Sequence, residues 1–185
     1  MLNRQQSISH GINKNRWNFT VRLFHWMSVL LLVTTWLFVF LHNNLDDSNH
    51  IYILWHRSLG LLFLVWVITR LLNRIGTSDL KPSEFNTILW QKYLASTVHF
   101  LLYIAMIGMP ITGFLMTQYG GTSVSFFGLF NIPTIVKPDQ TMKHYFLTLH
   151  TDLIWTMLWS LSLLHILSAL FHQFVKKEKL INRML

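Results

Sequence analysis

Ten histidines occur in a chain that is 52% hydrophobic and only 12% charged. His25, His56, His99, His150, His165 and His172 lie within or at the edge of long apolar runs. An ionisable ring in hydrocarbon is costly unless a partner compensates it, so each is a candidate functional group. A lone intramembrane imidazole commonly serves as inter-helix hydrogen-bond glue or as a proton-relay group. Several of them, paired by depth, suit a metal cofactor, and haem iron held by two imidazoles is the chemistry that such pairs fit best. The chain has no cysteine. That excludes disulfides, thiolate zinc or iron–sulfur sites and the C-x-x-C-H attachment of covalent haem, so a haem here is held only by axial ligands and packing.

The elements that must position these rings are membrane-spanning helices. A chain of 185 residues with a mean hydropathy of +0.39 belongs to the membrane class. About 20 helical residues cross a hydrocarbon core roughly 30 Å thick, so the length suits a handful of spans and no second domain. Residues 1–21 read as a polar tail, not a cleaved signal peptide, because the apolar run that follows is too long and no small-residue cleavage site closes it. Four helices are expected: about 22–42, 51–72, 92–117 and 145–175. Arg57 and Arg70 sit near the ends of the second, where they can snorkel, and Pro110 with Gly113 is expected to loosen the outer third of the third. Residues 119–143 form the longest loop, and its apolar stretch Phe126–Phe130 is expected to lie on the membrane surface or cap the bundle. Residues 176–185 form a basic tail.

The expected architecture is therefore all-α, an up-down-up-down four-helix bundle over 22–175. Orientation follows from the basic residues near span ends. Arg4, Lys14, Arg16, Arg22, Arg70, Arg74, Lys81, Lys92, Lys176, Lys177, Lys179 and Arg183 fall on one side, and Arg57, Lys137 and Lys143 on the other. Both termini should be cytoplasmic. The net charge of +8 is thus a membrane-anchoring pattern and not a nucleic-acid surface. Trp26, Trp55, Trp90, Tyr93 and Tyr145 lie near span ends, as interfacial aromatics do. Small residues such as Gly60, Gly108 and Gly113 permit close helix approach or leave room for a porphyrin.

In such a bundle His25 shares the inner half with His165, and His56 meets His150 in the outer half. His144, beside Lys143, is the rival of His150. His150 and His165 are fifteen residues apart, about 22 Å along a helix, yet about 60° apart in azimuth. A local bulge, or two haems at different angles, would absorb that mismatch. His99 and His172 are candidates for a haem propionate or a quinone, with packing an equal reading. His10, His42 and His50 sit in tails or at loop edges.

The stretches Arg22-Leu-Phe-His-Trp26, His56-Arg-Ser-Leu-Gly60, Arg70-Leu-Leu-Asn-Arg74, His99-Phe-Leu-Leu-Tyr103 and Pro110-Ile-Thr-Gly113, with the ending from His165, resemble prokaryotic cytochrome b561 and the wider group of hydrogenase b-type cytochromes. The resemblance covers nearly everything after residue 17. It implies a four-helix dihaem protein of the bacterial inner membrane, with two haems b on His25 with His165 and on His56 with His150. It also implies a path from superoxide at the outer face to ubiquinone near the inner face. The outer mouth would be made positive by Arg57, Lys137 and Lys143, and the quinone would meet His172 with Arg74, Lys81 or Lys176. Membrane lipid, quinone and a redox partner protein are the expected partners. Two other readings stand beside this one: an electron-transfer subunit linking a dehydrogenase or hydrogenase to the quinone pool, and a haem-free helical membrane protein whose histidines bind protons or metal.

Overall fold

The computed structural model describes residues 16–76, 89–178 and 180–185. The expected N-terminal tail up to residue 15, the polar connection with Asp79, Pro82, Ser83 and Glu84, and the positions of Lys81 and Lys179 lie outside the described residues. Four helices are long and apolar enough to cross a membrane: α1 (Phe19–Asn44), α2 (Ile51–Gly76), α3 (Leu89–Tyr119) and α4 (Gln140–Val175). The shorter two have 26 residues each, about 39 Å at 1.5 Å per residue, which exceeds a hydrocarbon core of about 30 Å.

Each helix extends beyond the span expected from apolar residues alone, for identifiable reasons. The carboxylate of Asp139 accepts from the N–H groups of Thr141 and Met142 at 2.8 and 3.1 Å. This N-cap starts α4 five residues before the expected Tyr145. Ahead of α2, which begins at the expected Ile51, the Asp47 carboxylate accepts from Tyr52 and Ile53 at 3.1 Å each and from His42 Nδ1 at 2.7 Å. Partial desolvation works to raise the Asp47 pKa, but the Tyr52 N–H, the His42 side chain and the Ile53 N–H outweigh it and hold the carboxyl below its ordinary value. A lowered folded-state pKa means the stabilisation is complete above the ordinary carboxylate range and is lost as pH falls through the lowered value. Proteolysis of the 45–50 turn should therefore accelerate in that acid window, and Asp47→Asn should be cleaved faster at neutral pH with the acid step gone.

At the other end, the C-terminal residues fold back on the start of α1. Trp26 Nε1 donates to the Met184 carbonyl at 2.8 Å, Arg22 to the Leu185 carbonyl, and the Trp17 N–H to the Arg183 carbonyl at 3.1 Å. The expected basic tail is thus a short helical turn, Ile181–Arg183, packed against α1.

The chain is mostly but not purely helical. The loop after α3 contains a two-stranded antiparallel hairpin, β1 (Val124–Phe126) and β2 (Phe130–Ile132), with Val124 opposite Ile132 and Phe126 opposite Phe130. The all-α expectation missed it because the apolar Phe-Phe-Gly-Leu-Phe run does not alternate. The turn itself depends on Gly128, at φ +75°, where a Cβ would be strained. The hairpin seats on α2. Buried Ser58 accepts from the Phe127 N–H at 2.8 Å and donates to the Leu54 and Ser125 carbonyls at 2.8 and 3.1 Å. Val124 is buried against the bundle, whereas Leu129 is 79% exposed. Of the two expectations for this loop, the hairpin caps the bundle end. Ser58→Ala leaves the Phe127 N–H without its acceptor, which costs about 1–3 kcal/mol. Its signature should be faster amide exchange at Phe127 with unchanged exchange across α4.

α1 and α2 meet along their length, Phe24 against Trp66 and Phe38 against Trp55. The shared core is small: Phe63, Val67, Ala105, Met106 and Leu158. Large apolar side chains such as Val33, Val65, Ile104 and Leu163 face outward. That much exposed apolar surface is stable in lipid, and this is a multi-pass membrane protein. α3 runs unbroken through Pro110, which is buried inside it. The loosening expected there is not seen.

Candidate functional site

The histidines gather in two layers, one on each side of the small core. In the outer layer α2 presents His56 and α4 presents His150, with ring centroids 6.3 Å apart and planes crossed at 86°. His56 Nδ1 lies 2.9 Å from the Thr35 carbonyl of α1. His150 Nδ1 lies 2.9 Å from the Met109 carbonyl and 3.2 Å from Thr112 Oγ1. Because a carbonyl only accepts, Nδ1 carries the proton in both rings. Nε2 is left as the ligand nitrogen, the usual arrangement of a metal-ligating histidine with a backbone partner.

Two features make room for this layer. A Cβ built on Gly113 would meet His150 Cε1 at 2.8 Å, so only glycine lets α3 approach that ring. A Cβ on Gly60, one turn from His56, would meet nothing within 4 Å, so open space lies on the helix face that carries the imidazole.

His150 itself lies in a π-helical segment, Leu149–Ile154. A turn closed i→i+5 advances roughly 80° per residue against 100° in an α-helix. The four steps from His150 to Ile154 thus take back roughly 80°, in the direction that offsets the mismatch of about 60° between His150 and His165. Of the two ways to absorb the mismatch, helix four contains the local bulge. A second π turn, Phe171–Val175, ends the helix. His144 is exposed, whereas His150 is only 8% exposed.

In the inner layer, His25 of α1 and His165 of α4 have centroids again 6.3 Å apart, at 60°. His99 of α3 stands 5.2 Å from His165 on another side. His25 Nδ1 has a different partner from the outer rings: Arg70 Nη2 at 3.1 Å. His172 is not among these rings. Its Nδ1 lies 2.6 Å from Glu178 Oε2. Arg74 stacks on Trp17, 4.4 Å from the ring centroid, and Lys176 donates to Gln91 Oε1 at 3.0 Å, so the three expected inner quinone contacts among the described residues, His172, Arg74 and Lys176, have protein partners.

The equal spacing of the two pairs tests what they can hold. A metal–imidazole bond of about 2 Å and a further 1 Å or so to each ring centroid put two axial imidazoles about 6 Å apart. Both pairs fit. Among the described residues no group of three or more His, Cys, Asp or Glu side chains is arranged to hold a metal ion. Two facing imidazoles instead suit an iron whose other positions are filled by a porphyrin. The sequence pointed to the rings but not to what orients them. The Thr35 and Met109 carbonyls are backbone groups, and Arg70 reads in sequence as a snorkelling end residue.

Comparison with known proteins identifies the family. The chain is 29% identical to cytochrome b561 homolog 1 of Escherichia coli strain K12, over 92% of this chain and 97% of that one. It is 26% identical to homolog 2 of the same organism, over 88% and 87%. The probable superoxide oxidase CybB of Yersinia pestis is 29% identical, over 87% of this chain and 90% of its own. The sequence profile described as prokaryotic cytochrome b561 matches residues 16–185. With two histidine layers built into four membrane helices, the chain belongs to the prokaryotic cytochrome b561 family, membrane proteins of electron transfer.

Proposed function

We propose that this chain is a dihaem cytochrome that carries electrons across the inner membrane, with His56 and His150 as axial ligands of an outer haem b and His25 and His165 of an inner one. The observation that carries the reading is the identical 6.3 Å separation of the two pairs. Haem iron, when bound, supplies the one-electron carrier; the protein supplies position and environment. Thr35 and Met109 hold the Nδ1 protons and fix the imidazole planes. Phe63, Val67, Ala105, Met106 and Leu158 form a dry plug between the layers, which keeps water and protons from following the electron. In this reading the helices alternate in direction and both ends of the chain face the cytoplasm, as the basic residues favour.

The donor is superoxide or another small periplasmic donor, and the acceptor is ubiquinone. The name of the Yersinia relative supports superoxide as the donor. So does Arg57, whose Nε is buried without a hydrogen-bond partner beside the outer layer; with Lys137 and Lys143 it draws small anions. Two superoxide ions each give up one electron and leave as dioxygen, while one ubiquinone gains two electrons and two protons from the inner side to become ubiquinol. His172 and Glu178, already sharing a hydrogen bond, are placed to pass those protons. The purified full-length protein should hold two haems and reduce ubiquinone with superoxide. Two haems without that turnover would remove the superoxide assignment, and a colourless protein would remove the whole reading.

A further inference from the structure

Among the described residues Arg70 is a charge without an anion. α1, α2 and α3 contain Arg22, Arg57, Arg70, Arg74 and Lys92 but no aspartate or glutamate. The one acid in α4, Asp152, lies at the end with His150, and Glu178 is occupied by His172. Among the described residues no carboxylate comes within ion-pair distance of Arg70. A guanidinium that only snorkels would extend towards the inner headgroups, as Arg74 does by stacking on Trp17. Arg70 instead turns into the bundle, its Cζ 5.6 Å over the Tyr103 ring and its Nη2 on His25 Nδ1.

That last contact is chemically out of place. Guanidinium can only donate, so it demands a lone pair on His25 Nδ1 and puts the proton of a neutral ring on Nε2. In His56 and His150 the proton sits on Nδ1, held by a carbonyl. An external anion that accepts from Arg70 would remove both anomalies at once: the buried cation gains a partner, and His25 Nδ1 is free to hold its proton.

We propose that Arg70 binds a carboxylate brought by the inner cofactor, a haem propionate, with Tyr103 beneath the guanidinium. The proposal rests on the dihaem reading. It assigns to Arg70, rather than to His99 or His172, the propionate contact of the inner site.

The test uses the intact haem-loaded protein, made with haem carrying carbon-13 in its propionate carboxyls. Arg70→Gln should lower retention of the inner haem about tenfold, the scale of one charge-assisted hydrogen bond, and Arg70→Lys should recover part of it. In redox-difference infrared spectra the labelled carboxylate bands of the inner haem should shift in Arg70→Gln. Its midpoint potential should also gain a pH dependence, because a carboxyl that has lost its cation protonates at higher pH. If Arg70→Gln keeps two haems with unmoved labelled bands and a flat potential, Arg70 has no such role although the dihaem reading stands. If Arg70→Gln does not assemble, unmoved bands in Arg70→Lys overturn the proposal and shifted bands support it. A wild-type protein without haem overturns the proposal together with the reading beneath it.

Discussion

Replacing His150 with alanine should take the haem content from two per chain to about one, and His56→Ala should do the same, because an open axial position leaves a porphyrin held by one bond and packing. The sharper outcome comes from pairs. His56 and His150 have ring centroids 6.3 Å apart, as do His25 and His165, so on the proposed reading residues within a layer act as one unit and their effects do not add. The double variant His56→Ala/His150→Ala should lose no more haem than either single change. His56→Ala/His165→Ala should be colourless. Pyridine haemochrome analysis with the reduced α-band reads both. His99 stands closer to His165 than His25 does, at 5.2 Å, and is the competing inner partner. His99→Ala should keep two haems, and loss of one there with none lost in His25→Ala would reassign the inner pair. His144→Ala should keep both, since that side chain is exposed on the first turns of α4.

The sequence is informative about this protein where cost is highest. Rings cannot be placed in hydrocarbon casually, so His25, His56, His150 and His165 stand out against their apolar neighbours. Spacing even carried information about local geometry: the fifteen residues from His150 to His165 misalign on an ideal helix, and the π segment over Leu149–Ile154 resolves the conflict. What could not be read was of three kinds. The start of α4 depended on a cap: Asp139 is an ordinary loop acid in sequence until the N–H groups it accepts from are seen. The supports of the rings are backbone carbonyls and empty space, which have no side-chain signature. Arg70 shows a third difficulty. Near a helix end an arginine reads as a membrane anchor, and its contacts with His25 and Tyr103 separate it from Arg74, four residues on, which stacks on Trp17.

Empty space is the remaining component of the site, and two glycines probe it in opposite ways. At Gly113 the space is already filled by His150: a methyl group would press on Cε1 at 2.8 Å and on Nδ1 at 3.1 Å. Gly113→Ala must therefore displace the imidazole or part α3 from α4, a strain of about 1–3 kcal/mol. The outer haem should be lost or its axial geometry altered, with a changed low-temperature α-band, while the inner haem is unaffected. At Gly60 nothing stands within 4 Å. If that opening is only a gap between helices, Gly60→Leu fills a void and the protein gains stability with both haems in place. If the opening receives the porphyrin edge beside His56, the leucine competes with it, and the variant should fold with unchanged helix content yet hold one haem. Gly108→Ala is the control, because its new methyl would meet only the flexible end of Ile154 at 3.3 Å and should leave two haems. Two haems in Gly60→Leu would mean that the porphyrin lies on another face of α2, and the outer pair would then have to be rebuilt around a differently turned His56.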